Sequence, residues 1–184
     1  MEPEPGRPRS LGAEGDSVDA AAVFAVIEVC RAALGRDHPR AGLGRILRQT
    51  IWSMWEQPRL PGDLVSRKYP KEYPWSAKAR KSYKREPKWR TGGRGLVIEH
   101  VYPRKQLIAD LLADDNISPE TTRRILADRI MAAVITVEED RKIGQRDDGG
   151  FWPDYEADPW RRYRGVGIRL ARFRPVVAVA DEAS

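Results

Sequence analysis

Two adjacent residues in the middle of the chain carry side chains that could act on one bond. In the stretch GLVIEHVYPRKQL, residues 95–107, an apolar run ends in Glu99 and His100, and a proline follows at position 103. An imidazole can take a proton from water near neutral pH, and a carboxylate can hold the cation that neutralises charge on a leaving oxygen. In a regular strand such neighbours point to opposite faces, so they serve one cleft only if a twist or bulge turns both the same way. The chain's other histidine, His38 in GRDHPRAG, follows a helix-like segment, where an imidazolium is electrostatically favoured and needs no catalytic role.

The residues around the pair predict the elements that must hold it. Residues 95–101 read as a strand flanked by Gly and Pro, and residues 104–112 as a short helix with Leu107, Ile108, Leu111 and Leu112 on one side. Ser118-Pro119-Glu120 supplies a cap, a first-turn proline and an early acid for a further helix. The run AAVIT, residues 132–136, reads as a second strand. Thr136 and Glu139 then have the spacing of a capping box that opens a helix through Asp140.

Upstream, Val23, Phe24, Ile27, Cys30 and Leu34, followed by Leu43, Ile46, Leu47, Ile51, Met54 and Trp55, recur at helical steps and predict a helical hairpin over 17–57. Residues 1–16 are rich in Pro, Gly and Glu and predict a disordered tail. Prolines at 61, 70, 74 and 87 leave 58–94 a connector with a short helix over 76–84. The C-terminal segment, 145–180, reads as irregular to 163 and then as strands at 165–172 and 175–179. The prediction is therefore one α+β domain over 17–180: a helical hairpin, a basic connector, and a small ββα-like module (95–144) with inserted helices.

Charge is concentrated in the connector. The formal net charge is +6, from 33 basic and 27 acidic residues, and eleven of the basic residues fall within 66–94 against Glu72 and Glu86. That segment carries a net +9 and the remainder of the chain −3. Aromatic residues are interleaved with the cations. Lysines and arginines can neutralise phosphates while flat rings stack on unpaired bases, which makes Lys78, Arg80, Lys81, Lys84, Arg85, Lys88, Arg90, Trp75 and Trp89 candidate nucleic-acid contacts. The same rings could instead plug the core beneath a solvated basic loop. Residues 151–168 hold Trp160, Tyr163, Arg161, Arg162 and Arg164, a composition suited to a protein partner or a second phosphate-facing surface. The single Cys30 has no partner for an internal disulfide, and no run of about 18 apolar residues could cross a bilayer. A soluble, cytoplasmic protein is the expectation.

The segment IEHVYP and the unit AAVITVEEDRKIG together resemble the HNH, or ββα-metal, nuclease family, in which a strand ends in an acid-His pair and a second strand leads into a ligand-bearing helix. The resemblance covers 95–144. It implies metal-dependent hydrolysis of nucleic-acid phosphodiesters, with His100 as general base, Glu99 and Asp140 as metal ligands, and Glu139 as the alternative to Asp140. The implied metal is Mg²⁺ or Mn²⁺, since the ligands are hard oxygens. The substrate would be DNA ahead of RNA, and with no Cys pairs no structural zinc is expected. A second reading fits the same residues without catalysis: a nucleic-acid-binding or protein-interaction module in which Glu99 salt-bridges to an arginine, His100 is hydrogen-bonded within a strand, Glu139 closes the capping box and Glu138 pairs with Lys142.

Overall fold

The computed structural model describes residues 10–34, 40–60, 64–65, 69–71, 73–85, 95–145 and 158–172. Helix α1 (Ala13–Leu34) places Ala20, Val23, Ile27 and Cys30 on one buried face, at the spacing that helical periodicity requires. It starts before residue 17, so the expected tail of 1–16 is too long: residues 10–16 are ordered, and residues 1–9 lie outside the described residues. The cause is Asp16. Its carboxylate accepts hydrogen bonds from Ser10 Oγ (2.5 Å), the Leu11 N–H (3.1 Å) and Arg59 Nη2 (2.6 Å). Burial would raise this carboxyl, but those donors outweigh it and hold Asp16 below its usual range.

Helix α2 (Arg40–Thr50) runs into a π-helical turn, Ile51–Glu56, and then a 3₁₀ turn, Gln57–Arg59. The π turn shows its wider ladder in the bond from the Gln57 N–H to the Trp52 carbonyl. Leu43, Leu47, Ile51 and Trp55 bury one continuous stripe, and Arg59 is buried beneath it over the Trp55 ring, 3.8 Å from its centroid.

After the short pair β1 (Leu64–Val65) and β2 (Tyr69–Pro70), the chain forms β3 (Pro74–Ser76), α3 (Ala77–Arg85), β4 (Leu96–His100), α4 (Arg104–Ala113), α5 (Pro119–Arg129), β5 (Ala132–Thr136), α6 (Val137–Gln145), α7 (Arg161–Gly165) and β6 (Leu170–Arg172). The fold is α+β. One four-stranded sheet has the order β4-β5-β3-β6, with β4 antiparallel to β5, β5 parallel to β3, and β3 antiparallel to β6. β5 is central and buried at every residue, as AAVIT with no polar alternation requires. Several expected caps are present. Ser118 Oγ accepts from the Thr121 N–H at 3.1 Å, and Thr136 with Glu139 forms the reciprocal capping box, at 3.1 and 2.9 Å. Of the stretch expected to be irregular, 145–163, residues 146–157 lie outside the described residues and 161–163 open α7; of the strand expected at 165–172 only Leu170–Arg172 forms, as β6. Helix α7 ends in Gly167 at φ 76°, with the Ile168 N–H bonded to the Tyr163 carbonyl and the Gly167 N–H to the Arg164 carbonyl, a glycine stop that turns the chain into β6. The strand expected at 175–179 lies outside the described residues.

The sheet separates two apolar clusters. On one face Ala133 and Ile135 pack with α1, α2, α4 and α5 through Val23, Ile27, Leu47, Leu107, Leu111 and Leu126. On the other, Leu96, Ala132 and Val134 pack with Tyr69, Tyr73, Trp75 and Ala79. No helix among the described residues is long and apolar enough to cross a membrane.

Candidate functional site

The antiparallel register decides where the two central residues point. Glu99 lies opposite Ala133 and His100 opposite Ala132, so the pair falls on opposite faces of the β4-β5 ladder, as regular strand geometry dictates. No bulge interrupts the five registered pairs. Each side chain is consequently held by a different set of charges.

His100 meets the π turn. Its Nε2 lies 3.0 and 3.2 Å from the two carboxylate oxygens of Glu56, and Arg104 Nε donates to the same nitrogen at 3.1 Å. Glu56 also accepts from the Tyr73 hydroxyl at 2.7 Å and ion-pairs with Arg104. One imidazole nitrogen thus faces a proton acceptor and a proton donor together: a proton on Nε2 satisfies Glu56, and a lone pair satisfies Arg104. The carboxyl is fully buried, and burial alone would raise it; His100, Arg104 and Tyr73 outweigh that and hold Glu56 at about 2. Arg104 is steadied in turn by the Arg48 carbonyl (3.3 Å) and by the Trp52 ring, 5.9 Å from its centroid.

Glu99 meets α7. Arg162 Nη2 ion-pairs with Glu99 Oε1 and donates to the His100 carbonyl at 2.8 Å. The second carboxylate oxygen, Oε2, is buried without a hydrogen-bond partner among the described residues. Burial, and after it the negative charge of Asp140 at the start of α6, push the Glu99 carboxyl well above its usual range. Burial also raises Asp140 and draws Arg162 down to about 10, so the guanidinium still carries its charge at neutral pH.

The remaining predicted residues divide cleanly. Glu139 does not join Asp140 as an alternative ligand: its buried carboxylate accepts from Ser76 Oγ (2.6 Å), the Thr136 N–H (2.9 Å) and Thr136 Oγ1 (3.0 Å), which joins β3, β5 and α6. Trp75 is a correction too. It is fully buried, donates from Nε1 to the Pro70 carbonyl at 3.0 Å, and meets Tyr69 and Tyr83 edge to face, so no base can stack on it. Lys78 and Lys81 are exposed on α3, with Lys78 3.3 Å from Glu138. Arg80 is half-buried. The side chains of Lys84 and Arg85, residues Lys88, Trp89 and Arg90, and His38 lie outside the described residues.

The residues of the implied cation set are not gathered on one face. Glu99 and Asp140 are electrostatically coupled, yet a guanidinium already neutralises Glu99 and His100 faces the other way. Among the described residues no three acid, imidazole or thiol side chains converge as metal ligands. Sequence reasoning missed Glu56 and Arg104 as partners of His100, and Tyr73 as a donor to Glu56. Glu56 lies 44 residues away in sequence and looks like one more solvated acid of an amphipathic helix. The sole signal was the adjacent proline at 58, which marks where the helix must stop.

No protein-family model, curated protein or solved structure matches this chain.

Proposed function

We propose that this chain is a nucleic-acid-binding protein in which Glu99 and His100 hold the fold together. The observation that carries the reading is the amphipathic build of α3. Ala79 and Tyr83 turn inward against Trp75, while Lys78 and Lys81 face solvent within the segment of net charge +9. Packing Ala79 and Tyr83 against Trp75 anchors the helix, and the cations it presents suit a phosphate backbone without demanding a base sequence. The buried thiol of Cys30 suits a reducing, cytoplasmic setting. The test is the affinity for a short DNA duplex as a function of salt. Log affinity should fall linearly with log salt, and Lys81→Glu should weaken binding to unrelated sequences alike while lowering the slope by about 1. A flat salt dependence, or unchanged binding in that variant, would point to a protein partner instead.

One observation favours a second reading, metal-dependent phosphodiester hydrolysis: the electrostatic coupling of Glu99 with Asp140 between β4 and α6. That reading requires Arg162 to leave Glu99 and a bulge in β4 to turn His100 toward the same face. It predicts plasmid nicking with Mg²⁺ or Mn²⁺ that is lost in His100→Ala while DNA binding persists, and it fails if neither metal supports nicking.

A further inference from the structure

The edge of the sheet carries a cleft of about 480 Å³, formed where α7 and the turn after it fold back over β3 and β6. Such a volume falls in the range that encloses a small organic ligand. Among the described residues its walls are chiefly apolar, with Pro74, Trp160, Tyr163 and Leu170 contributing, and its cations are Arg164 and Arg169. Tyr163 is fully buried and lies against Trp160, with ring centroids 5.4 Å apart and a tilt of 54°. It forms a fixed backing for the half-exposed indole. The two arginines differ. Arg164 is ion-paired with Asp158, whereas Arg169 is exposed and makes no ion pair among the described residues. An aromatic wall beside an uncommitted guanidinium favours a ligand that is flat at one end and anionic at the other.

We propose that this cleft binds a nucleoside phosphate, with the base against Trp160 and the phosphate at Arg169. The phosphate can belong to a free nucleotide or to the end of a strand. The proposal deepens the nucleic-acid reading but stands on side chains of α7 and the segment leading into β6, outside α3, so separate variants test the two.

Calorimetric titration of the 184-residue chain with adenosine and uridine monophosphates, adenosine, and inorganic phosphate tests it. The monophosphates should bind at least tenfold more tightly than adenosine or phosphate alone. Arg169→Gln, a surface change, should weaken them at least tenfold, and Trp160→Phe should weaken them less than Trp160→Ala. Competition by a 5′-phosphorylated oligonucleotide would assign the cleft to a strand end, and its absence to a free nucleotide; both outcomes support the site. No monophosphate binding at millimolar concentration, or binding indifferent to Arg169→Gln, overturns it. Retention of wild-type duplex affinity and salt slope in Arg169→Gln, together with the weaker binding and lower slope of Lys81→Glu, would separate the cleft from the α3 surface.

Discussion

The two faces of β4 bury one carboxylate each and treat it in opposite ways. Glu56 has three donors, from Tyr73, Arg104 and His100, and its carboxyl is driven down to about 2. Glu99 has Arg162 on one oxygen, a buried oxygen without a partner, and a neighbouring acid, and its carboxyl is driven up. Burial is common to both. The number of donors decides the sign, because a desolvated charge is tolerated in proportion to the hydrogen bonds that replace water.

The largest expected effect follows from this difference in redundancy. Arg162→Ala should destabilise the protein by up to about 3–5 kcal/mol, the upper end holding where Glu99 stays ionised, since it leaves a buried carboxyl uncompensated beside Asp140. Arg104→Ala should cost clearly less, because Tyr73 and His100 remain on Glu56; equal losses in urea unfolding would break the comparison. Next comes pH. Glu56 titrates near 2 in the folded chain against 4.5 for the unperturbed group, so its contribution is complete above pH 4.5 and is lost as pH falls toward 2. The shift corresponds to about 3 kcal/mol at most. The stability gap between wild type and Glu56→Gln should therefore close over that window.

Glu99 should show the reverse slope. Its folded value lies above the unfolded one, so the folded state binds the extra proton, and this group's contribution is most favourable at low pH and declines as pH rises above 4.5. A pH series of Glu99→Gln against wild type checks the sign. Arg162, which that substitution leaves with an amide partner, shifts the whole series without tilting it in the acid range. The smallest effect is opposite in direction to the others. Asp140→Asn removes the charge that raises Glu99 and should stabilise the fold by less than about 1 kcal/mol. Any loss of thermal stability in that variant would mean that Asp140 supports the site rather than opposing it.

Much of this arrangement was legible in the sequence where the signal is local. The periodicity of α1 and α2, the strands β4 and β5, the Ser118 cap and the Thr136–Glu139 box depend on residues within a few positions of one another. The fold class follows from their order. What could not be read depends on distant pairing. β3 is three residues long, starts at a proline and lacks alternation, yet it sits inside the sheet because β5 and β6 flank it. That position buries Trp75, whose cationic neighbours in sequence suggest a surface ring. An arginine partner for Glu99 was an open alternative, but nothing before folding singles out Arg162, 63 residues away. Whether Glu99 and His100 share a cleft depended on local twist, and a regular register separates them.

The π turn at Ile51–Glu56 makes chain length itself a determinant of both charge networks. Such a turn carries one more residue than an α-helical path needs, and the surplus sets the rotation of all that follows. Adding one further residue ahead of it, after Gln49 for instance, would exceed the surplus the turn absorbs and swing later positions by about 100°. Glu56 would leave His100 and Arg59 would leave Asp16 in one event. No single substitution couples the sheet's polar contact to the anchoring of α1 in that way; a change of register does.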